Sequence, residues 1–113
     1  MRTMLATLAA FACLAGPALA GTIENSFGNT VVVTTADGAV ARYHFEPDGT
    51  YHVTSAAGDS AGAWAVNGEQ ICLTPSGGAQ QCVPYNAGYH VGDTWTAPGA
   101  NNTINTIALV AGR

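Results

Sequence analysis

The stretch that decides the fold runs from residue 42 to residue 54 and reads RYHFEPDGTYHVT. Pro47 suits the first corner of a type I turn, and Gly49 suits the left-handed position that follows it. The turn predicts a hairpin with three opposed pairs: Phe45 with Tyr51, His44 with His52, and Tyr43 with Val53. The aromatic and aliphatic members of these pairs share one face and the histidines share the other, so the register is well specified.

Short alternating runs rich in valine, threonine and tyrosine recur along the chain, and each ends in a turn signal. The further turn signals are Asp37-Gly38, Asn67-Gly68, residues 75–78 (PSGG) and residues 98–102 (PGANN). Their spacing of about ten residues is typical of an antiparallel meander. We therefore predict an all-β fold of seven or eight short strands that closes as a small barrel, with a two-layer sandwich as the alternative, because both arrangements avoid long exposed edges.

The sequence also predicts the structure of individual segments. Residues 30–35 should pair with residues 40–45, residues 93–96 should form a short strand, and residues 103–110 should form the last strand. Residues 21–29 read as a loose lead-in and residues 84–91 as a loop.

The Asn67-Gly68 pair predicts a two-residue type I′ turn. The resulting opposed pairs are Val66 with Glu69, Trp64 with Ile71, and Ala63 with Cys72. The larger apolar side chains of this hairpin would point to the core, whereas Cys72 would point to the other face.

Residues 1–20 (MRTMLATLAAFACLAGPALA) have the pattern of a secretory signal peptide. Arg2 precedes an apolar run, and Ala18-Leu19-Ala20 offers small residues at the cleavage site. The run is shorter than the roughly 20 residues that cross a bilayer, so we predict no membrane span. Cleavage would leave a single small β-domain of 93 residues, 21–113, in the periplasm or the medium.

The charge of the chain excludes two classes of partner. The formal net charge is −4, there is no lysine, and loss of Arg2 would make the charge −5. Such an acidic surface repels nucleic acids and anionic lipids. A protein partner or a small ligand remains compatible with this composition, and the sequence leaves the oligomeric state open.

Two of the three cysteines lie outside the predicted signal peptide, which contains Cys13. In an oxidising compartment the remaining even pair, Cys72 and Cys82, predicts a disulfide. If the two residues are directly opposed on neighbouring strands, the bridge staples those strands beside the residue 75–78 turn.

Residues 58–62 (GDSAG) match the G-x-S-x-G nucleophile motif, with Ser60 as the nucleophile and His44, His52 or His90 as a base. The motif lies between two predicted hairpin strands, where Gly, Asp and Ser are ordinary turn residues, and the chain is too short for the folds that use this motif. We therefore predict no catalytic residue.

His44 and His52 could together bind Zn²⁺ or Cu²⁺, with His90 or Glu46 as a third ligand. A solvated histidine pair on a polar face is the simpler explanation of the pattern, so we predict no metal ligand and no cofactor. Trp95 and the residues before it, 85–94, carry the aromatic side chains best suited to a binding surface, together with the turn at residues 76–80, although core burial explains Trp95 as well.

Several segments have a recognisable pattern: the G-x-W-x-V strand at residues 62–66, the two-cysteine hairpin around ICLTP (71–75) and QC (81–82), the V-G-D-x-W segment at 91–95, and the ending ALVAGR (108–113). Together they resemble small secreted β-proteins of proteobacteria. The resemblance covers residues 30–113, and it implies a secreted β-domain but carries over no functional residue. A looser architectural likeness is to disulfide-bearing periplasmic β-barrels that inhibit lysozymes or proteases.

The sequence therefore favours a secreted or periplasmic, non-enzymatic binding or inhibitor-like module. Two alternatives stay open. One is a small metal-binding protein or hydrolase that uses the His44/His52 pair or Ser60, and the other is a structural protein of the cell envelope.

Overall fold

The computed structural model describes residues 21–113, so the predicted signal peptide lies outside the described residues. A short helix, α1 (Thr22–Ser26), precedes eight antiparallel strands. The strands are β1 (Thr30–Thr34), β2 (Val40–Phe45), β3 (Thr50–Ser55), β4 (Gly58–Asn67), β5 (Gln70–Pro75), β6 (Gln81–Pro84), β7 (Thr94–Pro98) and β8 (Ile104–Val110). A 3₁₀ turn (Ala100–Asn102) joins β7 to β8. The predicted all-β class is confirmed. No helix within residues 21–113 is long and apolar enough to cross a membrane.

All eight strands form one sheet, in the order β6-β5-β4-β3-β2-β1-β8-β7. The sheet curls into a nearly closed barrel, which confirms the barrel rather than the sandwich. Six strands follow one another as a meander, and β8 returns to lie beside β1. Among the described strands, β6 and β7 each have one neighbour only, and we call the gap between them the seam.

The hairpin of residues 42–54 has the predicted register. Phe45 opposes Tyr51, and His44 opposes His52. The Glu46 N–H donates to the Thr50 carbonyl at 2.9 Å, and Gly49 has a φ of 90°, which a glycine adopts without strain. The Trp64 indole N–H donates to the Glu46 carbonyl at 2.9 Å and fixes this turn against β4.

The predicted register of the next hairpin is wrong. Asn67 opposes Gln70, so the two loop residues are Gly68 and Glu69 rather than Asn67 and Gly68. Gly68 has a φ of 60° at the first loop position, where a type II′ turn requires a glycine. Trp64 therefore opposes Leu73 instead of Ile71. Because each cross-strand partner moves by two residues, every side chain keeps its predicted face.

Residues 21–29 contain a helix rather than the predicted loose lead-in. The Glu24 carboxylate accepts the Gly21 N–H at 2.8 Å across the first turn of α1. Ile23 is buried and packs against Phe45 and Tyr51, with which it forms the core cluster. Five residues are too few to show a helical period, and burial of Ile23 in the barrel supplies the stability that propensity does not.

The two ends of the barrel differ in their packing. The antiparallel order places α1, the β2–β3 turn, residues 85–93 and the C-terminus at one end, which we call the closed end. Four of the buried apolar side chains of the described residues lie there: Ile23, Phe45, Tyr51 and Leu109. The β1–β2, β3–β4, β5–β6 and β7–β8 connections surround the other end, which we call the open end.

Candidate functional site

A cavity of about 360 Å³ occupies the interior of the barrel above the closed end. Its wall consists of inward-facing side chains from seven strands, most of them aliphatic or aromatic. Representative members are Val33, Tyr43, Leu73 and Ile107. Inward-facing positions of small barrels are ordinarily filled by their own side chains, so an unfilled interior is a feature that calls for an explanation.

The cavity reaches the surface along the seam. Val83 of β6 opposes Ile71 and therefore points inward, yet 47% of its surface is exposed. Trp95 and Ala97 line the cavity on the other side of the seam. An inward-facing valine that remains half exposed shows that the barrel interior is accessible from the side.

The cavity wall is uncharged. In the part of the chain that the structure describes, no aspartate, glutamate, lysine, arginine or histidine lines it. Two of its polar groups are already paired at the closed end: the Ser26 hydroxyl donates to the Ile23 carbonyl at 2.6 Å, and the Thr22 hydroxyl donates to the Asn86 carbonyl. The site is therefore suited to an uncharged, mainly apolar molecule.

Three tyrosines of the wall differ in the use of their hydroxyl groups. The Tyr85 hydroxyl accepts the Ile23 N–H at 3.0 Å and helps to hold α1. Tyr43 and Tyr51 lie side by side, with ring centroids 6.1 Å apart. Burial raises the pKa of both, and for Tyr43 the proximity of Tyr51 adds to the effect. Both phenols therefore stay neutral at physiological pH and can donate a hydrogen bond.

The predicted binding surface coincides with this site in part. Tyr85 and Asn86, which precede β7, and Trp95 within it line the cavity, and Tyr89 stacks on Trp95 with ring centroids 3.9 Å apart. The turn at residues 76–80 supplies no part of the described wall. Sequence reasoning placed the inward-facing tyrosines in the core and did not identify them as polar groups of a site, because their spacing is equally typical of core residues.

The His44/His52 pair lies on the outer face of the barrel, because the flanking residues Tyr43 and Phe45 point inward. Glu46, the predicted third ligand, instead forms an ion pair with Arg113. Burial and the Arg113 guanidinium lower the pKa of His44, against a smaller raising effect of Glu46. Within residues 21–113, no three histidine, cysteine, aspartate or glutamate side chains are placed to hold a metal ion.

Ser60 is not in a turn, contrary to the prediction. Residues 58–62 belong to β4, and Ser60 opposes Val53. Side chains alternate along a strand, so Ser60 and Val53 share the face opposite to that of His52, and the motif brings no base to the serine. His90, the other predicted base, lies in the loop before β7, where its backbone N–H donates to Asp93 at 2.8 Å.

The predicted disulfide is confirmed. Cys72 and Cys82 are directly opposed on β5 and β6 and are joined by a bond of 2.03 Å. The bridge lies on the outer face and fixes β6, which borders the seam, to its only neighbour in the described sheet.

No protein-family model, no curated protein and no solved structure matches the chain. The resemblance to small secreted proteins of proteobacteria therefore stays a prediction.

Proposed function

We propose that the protein is a non-enzymatic binding module that takes up a small, uncharged, apolar molecule in the interior of its barrel. The observation that carries the proposal is the apolar cavity of about 360 Å³, open along the seam. This volume lies in the range of about 300–1,000 Å³ that is typical of small-molecule sites. A bound molecule would remove the exposed inward surface of Val83 from water.

A location outside the cytoplasm is part of the proposal. The Cys72–Cys82 disulfide supports it, since such bonds persist mainly in oxidising compartments. The signal-peptide pattern of residues 1–20 supports the same location.

The absence of catalysis is also proposed, on the geometry of the two strongest candidates. Ser60 and His52 lie on opposite faces of the sheet, so the histidine is not available as a base for the serine.

Binding can be tested by titrating the oxidised protein with N-phenyl-1-naphthylamine, an uncharged probe that fluoresces in apolar surroundings. We expect saturable binding of one probe per chain. Ala97→Phe should abolish it, because Ala97 lines the cavity and the larger ring would fill the space beside the seam.

Thr96→Phe is the matched control for this variant. Thr96 is the exposed neighbour of Ala97 on the same strand and points outward, so its replacement should leave probe binding unchanged. Absence of saturable binding to the folded, oxidised protein would overturn the proposal. Equal loss of probe binding in both variants would show that the probe binds outside the barrel, and this result would also overturn the proposal.

A further inference from the structure

The Tyr51 hydroxyl belongs to the cavity wall but takes no part in the hydrogen bonds of the described fold. Tyr51 is only 3% exposed, and among residues 21–113 its hydroxyl finds no hydrogen-bond partner. A buried donor without an acceptor costs about 1–3 kcal/mol, and native proteins rarely leave one. An unpaired donor in the wall of an open cavity therefore points to an acceptor that comes from outside the chain.

A glycine determines where this hydroxyl lies. Gly62 opposes Tyr51 across the β3–β4 pair, and a Cβ on Gly62 would come within 2.8 Å of the Tyr51 hydroxyl. The same Cβ would lie 2.3 Å from the Thr74 carbonyl oxygen, so the position admits no side chain without a backbone shift. Gly62 faces the barrel interior, and the hydroxyl above it therefore lies inside the barrel.

Tyr43 adds a second donor on the same part of the wall. It lies beside Tyr51 and lines the cavity, and its hydroxyl also has no partner among the described residues. The wall thus combines two neutral donors with a mainly apolar surface that carries no charged group among the described residues and also includes the side-chain amides of Gln81 and Asn105. A neutral acceptor fits this arrangement, whereas a carboxylate would lose its hydration without gaining an opposite charge.

We propose that the ligand carries a neutral hydrogen-bond acceptor, such as a carbonyl oxygen, and that the Tyr51 hydroxyl, with Tyr43 beside it, donates to this acceptor. The inference rests on the proposed function, because it assigns the polar contact within the same cavity. It narrows the ligand to the class of uncharged apolar molecules with a carbonyl or similar oxygen.

The test compares acetophenone with ethylbenzene, which have nearly the same shape but differ in the carbonyl group. Each is used to displace N-phenyl-1-naphthylamine from the wild-type protein and from Tyr51→Phe. The readout is the ratio of the two affinities in each protein. The free ketone is better hydrated than the hydrocarbon, and this difference cancels when the ratios of the two proteins are compared. We expect Tyr51→Phe to lower the ketone-to-hydrocarbon ratio about fivefold, which is the size of one hydrogen bond between neutral groups.

Tyr89→Phe is the matched control, since Tyr89 lies outside the cavity wall and stacks on Trp95. It should leave the ratio unchanged. Thermal unfolding gives a second readout: Tyr51→Phe should be at least as stable as the wild type, because the hydroxyl that it removes has no partner.

Three outcomes would overturn the inference. If the probe binds but the ratio is the same in the wild type and in Tyr51→Phe, the inference fails and the proposed function stands. If Tyr51→Phe is clearly destabilised, the hydroxyl has a structural partner and the inference fails. If the probe does not bind to the wild type at all, the proposed function fails and the inference fails with it.

Discussion

The closed end and the open end of this barrel are built from the same hairpins but are held together in different ways. At the closed end, α1 inserts Ile23 between aromatic side chains, and Leu109 is completely buried. Above this core, inward-facing side chains border an unfilled cavity, and a disulfide joins the edge strand β6 to β5. The closed end is thus packed, whereas the interior above it is not, although Tyr51 and Phe45 of the core also line the cavity.

The largest expected effect is a difference in the free energy of unfolding between alanine substitutions at two residues of β8. Leu109 and Ile107 both point inward, but Leu109 is 0% exposed, whereas Ile107 lines the cavity. Leu109→Ala should lower the free energy of unfolding by about 3 kcal/mol, since it opens a new void in packed surroundings. Ile107→Ala should cost only about 1 kcal/mol, because that side chain already borders empty space. Urea unfolding measures both, and equal losses would remove the distinction between the two ends.

Loss of the disulfide tests how the edge strand beside the cavity is held. It closes a loop of ten residues in sequence that includes the β5–β6 turn. Replacing both cysteines with alanine should lower the free energy of unfolding by about 2.5 kcal/mol in the loop-entropy model. Adding reductant to the wild type should reproduce this loss, and reductant should have no effect on the variant. A variant as stable as the oxidised wild type would show that packing alone secures β6.

A smaller effect is expected from the C-terminal residue at the closed end. The Arg113 guanidinium pairs with Glu46 and donates to the Phe45 carbonyl at 2.7 Å. Arg113→Ala should cost about 1 kcal/mol, and because part of the effect is an ion pair, high salt should reduce it.

Arg42→Ala is the control for this prediction. Arg42 is exposed on the outer face, and its replacement should change stability by less than about 0.5 kcal/mol. Equal effects of the two substitutions would show that Arg113 does not fasten the closed end.

The smallest effect concerns pH. Burial and the Arg113 guanidinium hold the pKa of His44 below its usual value, so the unfolded chain binds a proton more readily than the folded one. The neutral imidazole contributes its full stabilisation above about pH 6.5, which is the ordinary pKa of histidine in an unfolded chain. This contribution is lost as the pH falls toward the lower pKa of His44 in the folded state. His44→Gln should flatten the dependence of Tm on pH between 7 and 5. A slope in His44→Gln equal to that of the wild type would contradict the prediction.

Local chemistry made much of the sheet predictable. The Pro47-Asp48-Gly49 turn specifies its own geometry, and the alternation around it sorts apolar from polar side chains, so both signals agree on one register. The Asn67-Gly68 hairpin shows the limit of such signals. Gly68 suits the first position of a type II′ turn as well as the second position of a type I′ turn, and both registers place the same residues inside.

The helix and the cavity depend on contacts that no local pattern reveals. The Thr22 hydroxyl and the Ile23 N–H bond to residues more than 60 positions away in sequence, so α1 exists only once residues 85–89 are in place. Alternation predicts that Tyr51 and Ile107 point inward, but not how much space is left between them. The volume of a barrel depends on the curvature of the whole sheet, which a single strand does not encode.

The position of β8 beside β1 determines when the barrel can form. Strands β2 to β6 can each pair with the preceding strand as soon as they are synthesised, since short hairpins close rapidly. Within the described sheet, β7 pairs with β8 only. β1 also pairs with β8, which is far from it in sequence, so this pairing cannot form until β8 is synthesised. Contacts between such distant segments form late because loop closure must come first. A nascent chain therefore remains a row of hairpins until β8 is synthesised, and this strand converts it into a barrel.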